Sequence, residues 1–405
     1  MITKQPVLNI GMVGHIDHGK TTLLQRLTGK FTDTHSEELK RGITIKLGYA
    51  DVIIRKCKEC SFLTREKKCP KCEGETEEIE YVSFVDVPGH EMLMATMLSG
   101  ASIIDAALLV IAANEPCPRP QTKEHLVALQ AKGLKEIIII QNKVDLVNKE
   151  GALKSYNEIK DFVKGTVAEN SPIIPVSAQQ GVNIELIYDA ITKLSFPQRD
   201  TASKPIFLVA RSFDINKPGT ESQNLGGGVL GGTLKQGILR VGDKIDIKPG
   251  MTIKKHDKTE YLPIQTTILS MQSGNNNLIE AIPSGSLAIQ TELDPLMTKS
   301  DNLAGCVAGL AGQTPDASNS LKLRTSLFNE ILGVEKKQAV DAIKTNEPLL
   351  LSVNTTISLG TVVKIKGHDI ELILKIPVVA LKGSKVGMAR NISGHWRLIG
   401  YGEID

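Results

Sequence analysis

Aromatic side chains are scarce: phenylalanine, tyrosine and tryptophan together make up 4% of the 405 residues, with one tryptophan among them. Binding nucleic acid chiefly by stacking bases on aromatic faces needs more of them, so that mode is excluded as the main one. Net charge is also small, +3 from 48 basic and 45 acidic residues, so any surface for a polyanion must be a local patch. Cysteine is rare. Six in a chain this long are too few for a disulfide scaffold. No apolar run approaches the ~20 residues of a membrane-spanning helix, and the start, Met1-Ile2-Thr3-Lys4-Gln5-Pro6, lacks the apolar core of a signal peptide. No membrane contact is expected, and the cytosol is the expected compartment. What is present, 41% hydrophobic residues, is ample for packed cores, and the length suits about two to four domains.

The stretch Gly14-His15-Ile16-Asp17-His18-Gly19-Lys20-Thr21, continued by Thr22, has two glycines separated by four residues and then Lys and Thr. An apolar run before it (7–13) reads as a buried strand, and 22–27 opens a helix; this strand–loop–helix setting is what a phosphate-binding loop requires. The glycines let backbone N–H groups converge on phosphate oxygens at a helix N-terminus. Lys20 reaches the outer phosphates, and the Thr21 hydroxyl is a Mg²⁺ ligand. Asp17, inside the loop, is read either as a turn residue bonded to backbone or as a ligand of a second Mg²⁺.

From 10 to 194, strand-like runs (81–87, 106–112, 137–141 and 173–176) alternate with helical patterns, which predicts a doubly wound, mostly parallel sheet. Ligands of such sheets sit at the carboxyl ends of the strands, and that is where the polar motifs fall. Asp86-Val87-Pro88-Gly89 ends one strand: the acid can hold Mg²⁺ through water, and the Gly89 N–H can approach a terminal phosphate. Asn142-Lys143-Val144-Asp145 ends another. The Asp145 carboxylate can accept from N1–H and the N2 amino group of guanine, a pair that adenine does not present. Ser177-Ala178-Gln179 ends the last, where a backbone N–H can meet the guanine carbonyl oxygen. Each tetrapeptide alone is weak, and Asn142 to Asp145 alone is an ordinary polar turn. Their order at successive strand ends makes the set specific.

Thr44, in Lys40-Arg41-Gly42-Ile43-Thr44-Ile45, is either a plain strand residue or a Mg²⁺ and γ-phosphate contact in a segment ordered by the triphosphate. His90 follows Gly89 directly. It is either a hydrogen-bonded helix-start residue or the side chain that positions the attacking water, and it stands with Asp17 as a candidate catalytic residue. Cys57-Lys58-Glu59-Cys60 and Cys69-Pro70-Lys71-Cys72 form two CxxC pairs with eight residues between them. That is tetrahedral Zn²⁺ spacing, and four thiolates leave no open position, so the site reads as structural. An apolar, methionine-rich helix over 92–98 reads as core or as a repackable partner surface.

These motifs resemble the translational GTPases related to elongation factor Tu. The segment 34–42, the four-cysteine insert, Ala112-Ala113-Asn114-Glu115-Pro116, and Arg211-Ser212-Phe213-Asp214 with 216–220 look, more narrowly, like the gamma-subunit family of archaeal and eukaryotic translation initiation factor 2. The resemblance runs almost end to end. It implies three domains, a GTPase that hydrolyses GTP to GDP and phosphate, GTP-dependent capture of methionylated initiator tRNA, assembly with alpha and beta subunits, and delivery to the small ribosomal subunit. It also implies Thr21 and Thr44 on one Mg²⁺, Asp17 and the Gly42 backbone on a second, and Cys57, Cys60, Cys69 and Cys72 as a zinc knuckle. The segment 316–319 is polar where the family carries an apolar and aromatic pair.

Past a polar, proline-flanked linker (196–205), short β-rich runs are spaced by turn signals. The expected architecture is an α/β P-loop GTPase domain over 1–199 with the zinc insert at 57–72, then two small antiparallel β-barrels over 204–316 and 320–405. Glycines at 226–228 and 231–232 read as bulges or barrel corners, and Trp396 as core. Lys244, Lys248, Lys254, Lys255 and Lys258 read as a solvated loop or, if the domain holds tRNA, as phosphate contacts. Two other readings stay open: an elongation-type or specialised aminoacyl-tRNA carrier, and a nucleotide-dependent scaffold with little turnover.

Overall fold

The computed structural model describes residues 5–30, 47–87, 101–217, 219, 221, 225–255, 258–331 and 338–405; of Lys254, Lys255 and Lys258 it describes the backbone only. Gly42, Thr44, Gly89, His90 and the 92–98 helix lie outside the described residues. The chain forms two compact units, and passes from the first to the second after Pro197.

The first unit is built on strands β1 (Leu8–Gly14), β2 (Gly48–Cys57), β3 (Leu63–Thr64), β4 (Thr76–Asp86), β5 (Ala106–Ala112), β6 (Glu136–Asn142) and β7 (Ile173–Pro175). They lie in the order β3-β2-β4-β1-β5-β6-β7. Strands β4, β1, β5, β6 and β7 run parallel, and β2 and β3 add an antiparallel edge. Every residue of β1 and of β5 is buried, as continuous apolar runs in the middle of a sheet covered on both faces must be. Helices α1 (Lys20–Thr28), α2 (Pro120–Lys132), α3 (Lys149–Val163) and α4 (Ile184–Ile191) flank it. Leu23, Leu24 and Leu27 of α1 and Ile187 and Ile191 of α4 share one core with Ile10, Met12 and Phe84. Strand order reverses at β1, flanked by β4 on one side and β5 on the other, so the crevice opens at the carboxyl end of β1. The phosphate loop starts there. Strand β2 adds to the runs expected from the sequence, and its burial alternates, as befits a half-exposed antiparallel strand outside the parallel core.

The second unit holds β8 (Ile206–Phe213), β9 (Val229–Gln236), β10 (Leu239–Arg240), β11 (Lys244–Lys255), β12 (Lys258–Ser273), β13 (Asn276–Leu278), β14 (Glu280–Ala281), β15 (Leu287–Thr291) and β16 (Val307–Leu310). Pairing runs β11-β16-β8-β9-β15-β12 and closes through β12 on β11, a six-stranded barrel with β13 appended and β10–β14 as a separate pair. Strands β17 (Ala317–Leu327), β18 (Pro348–Val353), β19 (Thr356–Lys366), β20 (Asp369–Val379), β21 (Lys385–Ile392) and β22 (His395–Ile404) close a second barrel in the order β17-β20-β19-β18-β21-β22. Each barrel has its own apolar core, centred on Phe207, Leu230 and Ile247 in the first and on Leu351, Leu372 and Met388 in the second.

The glycine stretch serves close backbone approach. A Cβ on Gly227 would lie 1.8 Å from the Thr291 carbonyl oxygen, and one on Gly232 would lie 1.9 Å from that of Leu208. Backbone cannot yield as a side-chain tip can, so Gly232→Ala is expected to cost about 1–3 kcal/mol or more, read as a lowered melting temperature with the first unit's nucleotide binding intact. Trp396 departs from the expected core role: it stands half-exposed on β22 opposite Asn391, outside the barrel's apolar cluster.

Among the described residues, hydrogen bonds join the barrels: Thr356 Oγ1 donates to the Gly305 carbonyl at 2.5 Å and Lys235 Nζ to Ser384 Oγ at 2.9 Å. On the connector from one barrel to the next, Asp316 Oδ1 and the Thr314 carbonyl accept from Lys248 Nζ at 2.6 Å and 2.8 Å. The Lys248 hydrogen bond holds the Asp316 carboxyl below its ordinary range. Lys248 is thus committed within the protein, and the polar start of 316–319 has a structural use.

Candidate functional site

The loop after β1 takes its shape from residues that few side chains could replace. Gly14 has φ +140°, and a Cβ there would lie 2.3 Å from the Val110 carbonyl oxygen. Gly19 has φ +87° and would bring a Cβ to 2.5 Å from Asn142 Nδ2. Between them Asp17 adopts φ 61°, a left-handed conformation that Asp tolerates better than most residues. Gly19 then caps α1, whose first N–H groups face the loop.

Lys20 is 6% exposed and folds back over the loop, its Nζ donating to the Gly14 carbonyl at 2.9 Å and the His15 carbonyl at 2.7 Å. Both acceptors belong to the loop itself, so the ammonium is held where outer phosphate oxygens would arrive. Thr21 Oγ1 donates to Asp86 Oδ2 at 2.8 Å. The residue after the loop lysine and the acid that ends β4 therefore meet, as the motifs predict, and a hydroxyl beside a carboxylate is a hard oxygen donor set of the kind Mg²⁺ takes.

His18 is 1% exposed, and its Nδ1 donates to the Val110 carbonyl at 3.0 Å. Its Nε2 lies 3.6 Å from Glu115 Oε2. Burial pushes the imidazole down to about 4, so this contact is not an ion pair at neutral pH. The Glu115 carboxylate finds its cation in Arg119, whose Nε donates to it at 2.8 Å.

Asn142 joins the two halves of the site. Its Nδ2 donates to the His18 carbonyl at 2.9 Å, and its Oδ1 accepts the Ala178 N–H at 3.1 Å, so one amide clasps the phosphate loop and the loop after β7. Lys143 follows with φ 63° and leads into a short 3₁₀ turn (Val144–Leu146) in which Asp145 is exposed. Ser177 Oγ accepts the Gln180 N–H at 3.1 Å. Arg26, on α1, donates from Nε to the Ala178 carbonyl at 3.0 Å and from Nη2 to the Gln179 carbonyl at 2.6 Å. Sequence reasoning missed Arg26 and gave Glu115 no role of its own. A single arginine on a helix carries no signal that its partners lie about 150 residues away.

The four cysteines of the insert come together with their sulfurs all within 4.8 Å of one another. Cys57 and Cys72 are 3.4 Å apart, Cys60 and Cys69 3.5 Å, and Cys60 and Cys72 3.4 Å. Sulfurs at the corners of a tetrahedron around zinc stand about 3.8 Å apart for a Zn–S length of about 2.3 Å. Each CxxC is followed by a residue with positive φ, Ser61 and Glu73, and each first cysteine's carbonyl accepts an N–H four residues on. The two halves are therefore one turn used twice. The Cys60 N–H brings the Cys57 thiol down to about 7, while contacts with the neighbouring thiols push Cys72 up to about 12. Leu63 packs against the core of the sheet, and the Arg65 guanidinium lies over Gly29 at the end of α1.

No helix among the described residues is long and apolar enough to cross a membrane. Residues 5–197 match the family model described as the elongation factor Tu GTP binding domain, and 319–404 that of initiation factor eIF2 gamma, C terminal. Among solved structures, a bacterial selenocysteine-specific elongation factor superposes with a TM-score of 0.76 at 24% identity, covering 99% of this chain and 58% of that longer one. The elongation factor SelB of Methanococcus maripaludis, with a GTP analogue, gives 0.73 at 22% identity over 100% of this chain and 80% of that one. These two likenesses bear on the fold. Curated relatives go further: translation initiation factor 2 subunit gamma of Pyrococcus furiosus is 54% identical over 99% of this chain and 98% of its own, and that of Methanothermobacter thermautotrophicus 51% identical over 99% of each. Identity of that order from end to end shows that the chain belongs to the translation initiation factor 2 gamma subunit family, translational GTPases related to elongation factor Tu.

Proposed function

We propose that the protein is a GTP switch that carries methionylated initiator tRNA to the small ribosomal subunit in the cytosol, in a heterotrimer with alpha and beta subunits, and that GTP hydrolysis ends tRNA binding. The observation that carries this is the clasp at Asn142, which joins a phosphate loop and a guanine-type loop into one preassembled pocket, in a chain 54% identical throughout to an initiation factor 2 gamma subunit.

In this reading 14–22 and Gly89 hold the phosphates, and Asn142, Lys143, Asp145 and 177–179 hold the base. Thr21 and Thr44, with Asp86 through water, hold one Mg²⁺; Asp17 and the Gly42 backbone hold a second. Bound Mg²⁺ supplies neutralisation of charge between the β- and γ-phosphates. The chain's own part is to turn the Thr21 hydroxyl from Asp86 to the metal, to carry Lys20 from loop carbonyls to phosphate oxygens, and to order 40–44 and 86–90 when the γ-phosphate is present. His90 orients the attacking water. Cys57, Cys60, Cys69 and Cys72 hold zinc as a structural knuckle. The functional divisions are 1–199, 204–316 and 320–405.

Initiator methionyl-tRNA is expected to bind at least about tenfold more tightly with a non-hydrolysable GTP analogue than with GDP, measured with and without the partner subunits. Equal affinity in both states overturns the switch. Preference for elongator over initiator methionyl-tRNA overturns the initiation role in favour of an elongation-type carrier.

A further inference from the structure

The phosphate loop leans on a residue that no nucleotide motif contains. His125, on α2, is 3% exposed, and its Nδ1 accepts the Gly14 backbone N–H at 2.8 Å. Gly14 is the first residue of the loop, and its carbonyl in turn accepts from Lys20 at 2.9 Å. The peptide is pinned on its other flank as well, since the Gly14 Cα passes so close to Val110 that a Cβ would reach the carbonyl oxygen. A buried backbone N–H needs an acceptor, and here it has an imidazole nitrogen.

An imidazole accepts at Nδ1 only when neutral, with its proton on Nε2. Burial first, then Lys20, His15 and His18 nearby, push His125 down to about 3, so the acceptor persists across the neutral range. This is the behaviour of a fixed acceptor rather than of a proton donor to the reaction.

We propose that His125 is a positioning residue for nucleotide binding: by holding the Gly14 N–H it sets the course of the phosphate loop before nucleotide arrives, and so contributes to affinity for GTP and GDP through the backbone. The proposal rests on 14–21 being the phosphate cradle. It gives α2 a part in the site, although none of the nucleotide motifs lies on that helix.

Three substitutions separate this role from bulk packing. In His125→Asn the Oδ1 occupies the place of Nδ1, one bond from Cγ, and keeps an acceptor there. His125→Gln moves the acceptor one bond outward, and His125→Leu removes it. With the full chain, the dissociation rate of a fluorescent GDP analogue and the hydrogen exchange of the peptide containing Gly14, without nucleotide, are the two readouts. Gln and Leu are expected to speed GDP release about tenfold, Asn no more than about threefold, and Gly14 is expected to stay protected from exchange only in the wild type and Asn. Equal behaviour of Asn and Gln, in either direction, overturns the proposal, and so does faster release with Gly14 protection unchanged. If the Leu variant fails to fold, the Asn and Gln pair still decides. Failure of the wild type to retain GDP would instead overturn the phosphate-cradle reading beneath it.

Discussion

Asp145→Asn is expected to lower GTP affinity about 10²- to 10⁴-fold and to raise affinity for xanthosine triphosphate in its place. The carboxylate stands exposed on a short turn after Lys143, open to a base that would cover it. Guanine offers N1–H and an exocyclic amino group, two donors for one acceptor side chain. Hydrogen bonds to a charged group contribute about 1.5–3 kcal/mol each, so removing the charge from one and replacing the other by two facing donors gives the range stated. An Asn side chain turns one of those positions into a donor, which clashes with the guanine amino group and suits the xanthine carbonyl. Competition between the two triphosphates against a fluorescent nucleotide measures the change. An unchanged base preference would remove Asp145 from the site.

The second large effect is expected in the insert. Purified protein should contain about one zinc per chain, and Cys57→Ser should reduce this to a small fraction. Cys57 and Cys69 are each 1% exposed, so the loss of metal leaves polar sulfurs and a serine hydroxyl in an interior with little else to hold it. Destabilisation of the insert by about 4 kcal/mol or more is expected, visible as rapid hydrogen exchange over 57–76. Because Leu63 packs on the sheet and Arg65 on the end of α1, exchange should also rise at the last turn of α1. Full zinc content in Cys57→Ser, or no zinc in the wild type with none taken up on reconstitution, would reject the knuckle.

What was legible in the sequence follows from what chemistry demands of spacing. Phosphate, guanine and zinc each require set residue types at set intervals, so the 14–21 loop, Asn142 to Asp145 and the cysteine pairs could be placed before any coordinates, as could the buried strands β1, β5 and β6. Thr21 and Asp86, 65 positions apart, read as Mg²⁺ contacts from their places in the loop and at a strand end, and their side chains share a hydrogen bond of 2.8 Å. Less was legible where a side chain's role depends on direction in space. Arg26 reads as one more helix charge, and His125 as a core histidine. Lys248 reads with its neighbours as a solvated lysine or a phosphate contact, yet its side chain is 13% exposed and bonded to Asp316. Trp396 reads as core because large aromatics usually bury, but the second barrel's core is filled by Leu, Ile, Val and Met side chains and leaves it half-exposed opposite Asn391.

The ties between the barrels have a mechanical meaning. Parting them would pull Thr356 off the Gly305 carbonyl, break Lys235 from Ser384 and draw on the short connector that Lys248 holds at Thr314 and Asp316. A displacement of either barrel therefore strains these bonds before it can run free of the other.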